Sequence, residues 1–190
     1  MVKKKLKGSS VGIAGAGGLG SNAAIALARV GVGRLVIVDF DIVEKSNLDR
    51  QYYFLDQVGK QKVDALKETI KQINPKITVE THSVKLKPGT MSSLFCDVDV
   101  VIEALDSAEI KTAFIEEILS KLPHTPLIAA SGVAGYGHCD RIHTIHSGNL
   151  HLCYDEQARS SDKDILTAPR VALMANWEAN LALEILLGDL

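Results

Sequence analysis

The sequence predicts a single α/β domain over residues 1–190, built on a doubly wound, mostly parallel, Rossmann-like sheet with antiparallel strands appended near the carboxyl end. Three observations carry this expectation. Short, almost wholly apolar runs rich in β-branched residues alternate with longer segments of helical period, the pattern of strands covered on both faces. The first of these runs ends in the glycine-rich turn Gly15-Ala16-Gly17-Gly18-Leu19-Gly20. Finally, 190 residues suit one core, and no internal repeat, linker or low-complexity segment divides them.

Ser10 to Ala14 reads as the first strand, Leu19 through Val30 as a small-residue helix, and Gly31-Val32-Gly33 as its stop. Arg34 to Asp39 is the second strand, so the first βαβ unit spans Ser10 to Asp39. From Gly59 to Asn74 the apolar positions Val63, Leu66, Ile70 and Ile73 recur at helical spacing, and Asn74-Pro75 closes the helix. Ile77 to Ser83 and Asp97 to Glu103 follow as strands, Ala108 to Lys121 as a helix, and Pro126 to Ser131 as a further strand. After Gly132 the texture changes. Glycines punctuate polar-apolar segments such as Asp140 to His146, which suits one or two antiparallel strands. Gln157 to Asp164 reads as a polar, mobile loop, and Arg170 to Leu187 as a long helix begun at Pro169 and stopped by Gly188.

Composition excludes several classes. The formal net charge of -2 gives no footing for a general nucleic-acid surface. Gly8, Ser9 and Ser10 interrupt the chain directly after the amino-terminal lysines, so neither a signal peptide nor a membrane span is visible. Cys96, Cys139 and Cys153 form neither an even disulfide framework nor a Cys-x-x-Cys pair, and the expected location is cytoplasmic.

The glycine turn is the surest functional signal. In Gly15, Gly17, Gly18, Leu19 and Gly20 a tight turn, a backbone open to close approach and a helix amino terminus come together, which suits the phosphates of an adenine nucleotide. Asp39 ends the second strand, where a carboxylate accepts hydrogen bonds from ribose hydroxyls. To this point an NAD-binding oxidoreductase fits equally well. The polar connection Asp39-Phe40-Asp41-Ile42-Val43-Glu44-Lys45-Ser46-Asn47-Leu48-Asp49-Arg50-Gln51 discriminates, because a triphosphate wants the guanidinium fork of Arg50 and the amide of Asn47. By residue type alone, the same two residues also fit a capped turn with a surface ion pair. Lys62 stands either near phosphate or on a solvated helix flank. Asp41 either contacts nucleotide or orders the Asn47 turn. Asp106 either binds ligand at a strand's carboxyl end or caps the next helix.

The blocks Gly15 to Asn22, Ala28 to Gly33 and Asp39 to Gln51 resemble the ThiF/MoeB/HesA family, relatives of the ubiquitin-activating enzymes. The resemblance continues in order through Gly59-Lys60-Gln61-Lys62-Val63, Ile73-Asn74-Pro75 and Glu103-Ala104-Leu105-Asp106-Ser107. It implies that ATP activates the carboxy-terminal glycine of a small ubiquitin-like sulfur carrier as an acyl-adenylate, releasing pyrophosphate. It also implies that Gly17 faces phosphate and Asp39 ribose, that Asn47, Arg50, Gln51 and Lys62 surround the triphosphate, and that Asp106 holds Mg²⁺. Arg50, Lys62 and Asp106 are then the catalytic set.

The chain departs from larger family members in three places. It lacks the paired Cys-x-x-Cys motifs of a structural zinc, so no metal but Mg²⁺ is expected, and a mixed site of Cys139, His143, His146, His151 and Cys153 has irregular spacing. No cysteine stands in Gln157 to Pro169 to take the activated carrier, and Cys139 and Cys153 are either acceptors or small buried core residues. The amino-terminal helix that lends an arginine to a partner subunit is expected to be missing, with Lys3, Lys4, Lys5 and Lys7 either replacing it or forming a frayed basic end. These departures, with Ala129 to Gly137 and Ala168-Pro169-Arg170-Val171, most resemble the short zinc-less ThiF type. That type implies a thiamine-pathway carrier, ThiS, with a carboxy-terminal Gly-Gly, a separate sulfur donor, and a homodimer. In the homodimer Met174, Trp177, Leu181 and Ile185 either line the interface or fill the core. Other carriers such as MoaD, a peptide carboxyl, a tRNA base, or a catalytically silent partner subunit remain as alternatives.

Overall fold

A computed structural model describes residues 1–157 and 164–188. Its elements in chain order are α1 (Val2–Lys7), β1 (Ser10–Ala14), α2 (Gly18–Val30), β2 (Arg34–Val38), α3 (Lys62–Ile73), β3 (Thr78–His82), β4 (Val100–Glu103), α4 (Ala108–Lys121), β5 (Leu127–Ser131), β6 (Ile142–Ser147), β7 (Leu150–Asp155) and α5 (Ala168–Leu187). The strands form one sheet in the order β3-β2-β1-β4-β5-β7-β6. Only β6 runs against its neighbour, pairing antiparallel with β7, while β7 itself lies parallel to β5. The order reverses at β1, which is where ligands gather in open sheets of this kind.

The central strands read as continuous apolar runs because both faces are covered. Val11, Ile13, Leu35, Ile37, Val100 and Ile102 enter a core shared with α2, α3 and α5. Val36, Val38 and Val101 point the other way, onto Phe95, Phe114 and Ile118. In the register Ala14 stands beside both Val38 and Glu103, so the loops that leave β1, β2 and β4 emerge together at one edge.

Several sequence expectations are corrected. The amino-terminal lysines are not frayed: they form α1, anchored by the buried Leu6, whose carbonyl accepts the Gly33 N–H, and by Lys5 Nζ donating to the Leu187 carbonyl at 2.6 Å. Helix α3 starts at Lys62, as the apolar spacing of Val63, Leu66 and Ile70 leads one to expect, and Gly59 to Gln61 before it are used in pairing with Ile42 and Val43. Strand β4 starts at Val100, since the Asp99 carboxylate turns aside to accept from the N–H and hydroxyl of Ser10. In α5, Met174 and Leu181 are buried in the core, Trp177 and Ile185 pack on its margin, and Trp177 Nε1 donates to Thr144 Oγ1. Two of the four residues thus fill the core, while Trp177 and Ile185 keep part of their surface exposed. Most of the Gln157 to Asp164 segment lies outside the described residues. Among the described residues no helix is long and apolar enough to cross a membrane.

Candidate active site

The glycine turn is shaped by close backbone contacts. Gly15 has φ +98°, its N–H donates to the Val38 carbonyl, and a Cβ there would stand 2.5 Å from the Ala104 carbonyl oxygen. Gly20 is needed because a Cβ would meet the Gly15 carbonyl oxygen at 1.9 Å. Gly17 differs: the nearest atom to a Cβ would be Gln51 Nε2 at 3.9 Å, so the space above it is open rather than filled by protein. Gly18 lets the amino end of α5 approach, a Cβ there meeting Val171 Cγ1 at 2.9 Å, and Leu19 packs its side chain on the core. Helix α2 begins at this loop with no side chain capping it, which leaves its first-turn N–H groups and its dipole for an anion.

Asp39 holds the loop in place. One carboxylate oxygen accepts from Ala16 N at 2.6 Å and the other from Asp41 N at 2.8 Å. Burial pushes its pKa above the ordinary carboxylate value, while these two bonds and the nearby Lys62 charge pull it back. Tyr53, buried, donates its hydroxyl to the Ala16 carbonyl at 2.7 Å, and burial beside Asp39 and Asp41 raises that phenol well above its usual pKa.

Lys62 does not lie on a solvated flank. Its side chain is 7% exposed and its ammonium meets Asp41 Oδ2 at 2.8 Å, while its backbone N–H donates to the Asp41 carbonyl. Burial of the aliphatic stem puts the charge at the start of α3, against the Asp41 carboxylate. Asp41 thus orders Lys62 rather than the Asn47 turn. That turn has its own device, in which the Glu44 N–H donates to Asn47 Oδ1 at 3.0 Å in a capping box. Arg50 donates from Nη1 to the Ser46 carbonyl and to Asp49, so both Asn47 and Arg50 occupy the capped-turn arrangement that their residue types allow. Gln51 is the exception in this segment: its side-chain Oε1 is buried without a hydrogen-bond partner, next to the open space over Gly17.

Asp106 follows β4 on an exposed loop, and the residue capping α4 is Ser107, whose Oγ accepts from Ile110 N. Among the described residues no hydrogen bond or ion pair engages the Asp106 carboxylate. Register places this loop beside the glycine turn, since Ala104 N donates to Ala14 O and Ala104 O lies under Gly15.

Three contributors escape a reading by residue type. Asn22 Nδ2 donates to the carbonyls of both Gly18 and Arg50, Ser21 Oγ donates to Gly17 O and accepts from Tyr52 N, and Tyr53 braces Ala16. Together they lace the glycine turn to the segment that carries Arg50 and Gln51. Their only signal in the sequence is adjacency to motif residues, with nothing in residue type to announce it.

The other sequence candidates separate. Cys153 is buried, with its thiol pKa pushed far up by burial, while Cys139 is exposed in the single 3₁₀ turn Cys139–Arg141 and is no core residue. His143 stacks on Tyr154, whereas His146 and His151 meet through their Nδ1 atoms at 2.7 Å on the opposite face of the hairpin. Among the described residues no three His, Cys, Asp or Glu side chains are grouped to hold a metal ion.

Comparison with known proteins places this geometry. A sequence profile of the ThiF family matches residues 2–189. The chain is 30% identical over 191 residues to the adenylyltransferase and sulfurtransferase UBA4 of Candida glabrata, covering 97% of this chain and 44% of that protein. It is 40% identical over 110 residues to the molybdopterin-synthase adenylyltransferase of Haemophilus influenzae, covering 57% of this chain and 45% of that one. The chain therefore spans less than half the length of these curated relatives. Among solved structures, the E. coli tRNA N6-threonylcarbamoyladenosine dehydratase TcdA bound to AMP superposes with a TM-score of 0.89 at 23% identity, covering 99% of this chain and 90% of that one. An open glycine turn at the switch point of the sheet, edged by Asp39, Lys62 and Asp106, is thus set in a chain that belongs to the ThiF family.

Proposed function

We propose that the protein is an adenylyltransferase that uses ATP to activate the carboxy-terminal glycine carboxylate of a small ubiquitin-like sulfur carrier of the ThiS type. The observation that carries this reading is the convergence of an uncapped helix terminus, an open Gly17 and the unpartnered Gln51 Oε1 on one edge with Lys62 and Asp106. Among the described residues the buried Gln51 Oε1 lacks a donor, which a ribose hydroxyl or an adenine amine would supply, while its Nε2, the atom nearest Gly17, is the group able to donate to phosphate. In the reaction a carboxylate oxygen of the carrier attacks the α-phosphorus, the bond to the β-phosphate oxygen breaks, and pyrophosphate leaves. An ionised carboxylate needs no general base, so the protein's contribution is alignment and neutralisation of the charge growing on pyrophosphate.

Asp39 and Tyr53 set the loop that receives the phosphates, with Asp39 turned toward the ribose. Lys62 and Arg50 supply positive charge, each released or shared by its carboxylate partner, Asp41 or Asp49, as phosphate arrives; Asn47 and Gln51 add amide donors. Asp106, a single exposed carboxylate, fits Mg²⁺, which takes one or two carboxylates and completes its shell with phosphate and water. Bound there, the ion would screen the phosphate charge. A homodimer, a separate sulfur donor and a cytoplasmic setting complete the proposal.

The test is ATP–pyrophosphate exchange by the purified protein with carriers ending in Gly-Gly. Exchange with a ThiS-type carrier in preference to a MoaD-type carrier supports the reading, and no exchange with any carrier sinks it. A second reading, activation of a carboxyl on a tRNA base, is favoured by the near full-length superposition on TcdA. AMP release that depends on modified tRNA and not on any carrier would select it.

A further inference from the structure

We propose that the half-buried ion pair between Glu103 and Lys111 is a positioning device that sets the loop carrying Asp106 against the glycine turn. The inference rests on the nucleotide-site reading above and assigns work to two residues outside it. Glu103 is the last residue of β4 and is fully buried. One of its carboxylate oxygens accepts from Leu105 N at 2.7 Å, and the other meets Lys111 Nζ. Lys111 reaches in from the first turn of α4 and also donates to the Ala130 carbonyl of β5 at 3.0 Å. The turn between Glu103 and Asp106 is thereby tied to its own strand, to the neighbouring strand and to the following helix. Its Ala104 carbonyl is the floor against which Gly15 closes.

An ion pair with one member fully buried is a poor way to gain stability, since desolvating the Glu103 carboxylate offsets much of the attraction, and apolar residues of similar size serve as well. Its use here is geometric. The carboxylate at the strand end accepts the N–H of Leu105 and holds an ammonium at once, which fixes the Ala104–Leu105 peptide unit one residue before Asp106. An aliphatic pair would fill the same space and leave that turn loose, with the Leu105 N–H unpaired. Groups that orient a metal ligand from behind are sensitive to loss in this way.

The experiment compares metal-dependent with metal-independent binding. Affinity for AMP is measured by calorimetry, affinity for Mn²⁺ in the presence of a non-hydrolysable ATP analogue by paramagnetic resonance, and folding by thermal melting, on the intact chain and on Lys111→Met, Glu103→Gln and Lys111→Arg. Lys111→Met and Glu103→Gln are expected to keep AMP affinity within about threefold while Mn²⁺ affinity falls about 10- to 100-fold, with Lys111→Arg recovering most of it. Unchanged Mn²⁺ affinity in folded variants overturns the proposal, as does a parallel loss of AMP and Mn²⁺ affinity. If Lys111→Met does not fold, Glu103→Gln, which keeps an acceptor for Leu105 N, gives the same comparison. An unmodified protein that binds no nucleotide sinks the nucleotide-site reading itself, whereas normal binding by both variants removes only the positioning role.

Discussion

The edge formed by the loops after β1, β2 and β4 and the region around the β6–β7 hairpin are built on different principles. At the first, several polar side chains are engaged with backbone: Asp39 with Ala16 and Asp41, Tyr53 with Ala16, Asn22 with Gly18 and Arg50, Glu103 with Leu105. At the second, the connection after β5 carries Gly132, Gly135 and Gly137 at positive φ, His138 in the left-handed region, an exposed Cys139 and a Tyr136 that is 75% exposed. It is tied down mainly from its far side, by Thr167 Oγ1 on Gly135 O and by Arg170 on Gly137 O. The glycine-turn edge is therefore held mainly by its own side chains, an arrangement that would suit the proposed nucleotide chemistry.

Breaking the organised edge should cost the most. Removing either phosphate-facing cation, by Arg50→Ala or Lys62→Met, is expected to lower ATP–pyrophosphate exchange by about 100-fold or more, with melting temperature little changed for Arg50→Ala. Exchange within a few-fold of the parent would show that the two cations serve only their carboxylates. A core change provides the contrast. Leu181→Ala is expected to cost about 2–5 kcal/mol in urea unfolding while leaving AMP affinity unaltered in the folded protein. A loss of AMP affinity there would make the nucleotide edge less self-contained than its bonding indicates.

Glu178 probes the same contrast from the stability side. It is fully buried in α5, neither carboxyl oxygen has a partner, and burial followed by the Glu103 charge holds its pKa well above the ordinary value. A raised native pKa means that its contribution is intact below the ordinary carboxylate range and is lost as pH rises toward the native value. Glu178→Met is therefore expected to stabilise the protein by about 1–3 kcal/mol at pH 8 and by less at pH 5, read from urea midpoints. A pH-independent difference would mean that Glu178 finds a partner in solution. The smallest effect is chemical rather than energetic. Alkylation of the native protein should label Cys96 and Cys139 and spare the buried Cys153, and labelling at all three would place the hairpin face in solvent.

Most of the architecture is legible in local sequence pattern. The glycine turn, the β-branched strands and the three- and four-residue spacing of Val63, Leu66 and Ile70 are each short-range signals, and each appears within a few residues of its expected bounds. Pairing across the chain is what local pattern does not carry. Lys62 has the surroundings of a surface helix start, and only the return of the chain to Asp41 buries it. Asn47 and Arg50 show the converse, since a capping box and a neighbouring aspartate satisfy them locally, as residue type allows. Glu103 and Lys111 lie in adjoining elements with nothing in their spacing to mark them, because their meeting depends on how α4 docks beside β5.

The packing of α5 on α2 has a consequence for the timing of synthesis. Gly18, in the first turn of α2, is brought against Val171 from the other end of the chain, and α1 is latched to Leu187. A ribosome-bound chain that has emerged only as far as β7 carries every motif of the nucleotide turn, yet the helix behind that turn still has a bare apolar flank. The glycine turn then gains its backing late, when the last helix docks. A stalled or truncated product would display the glycine fingerprint on an unbacked turn.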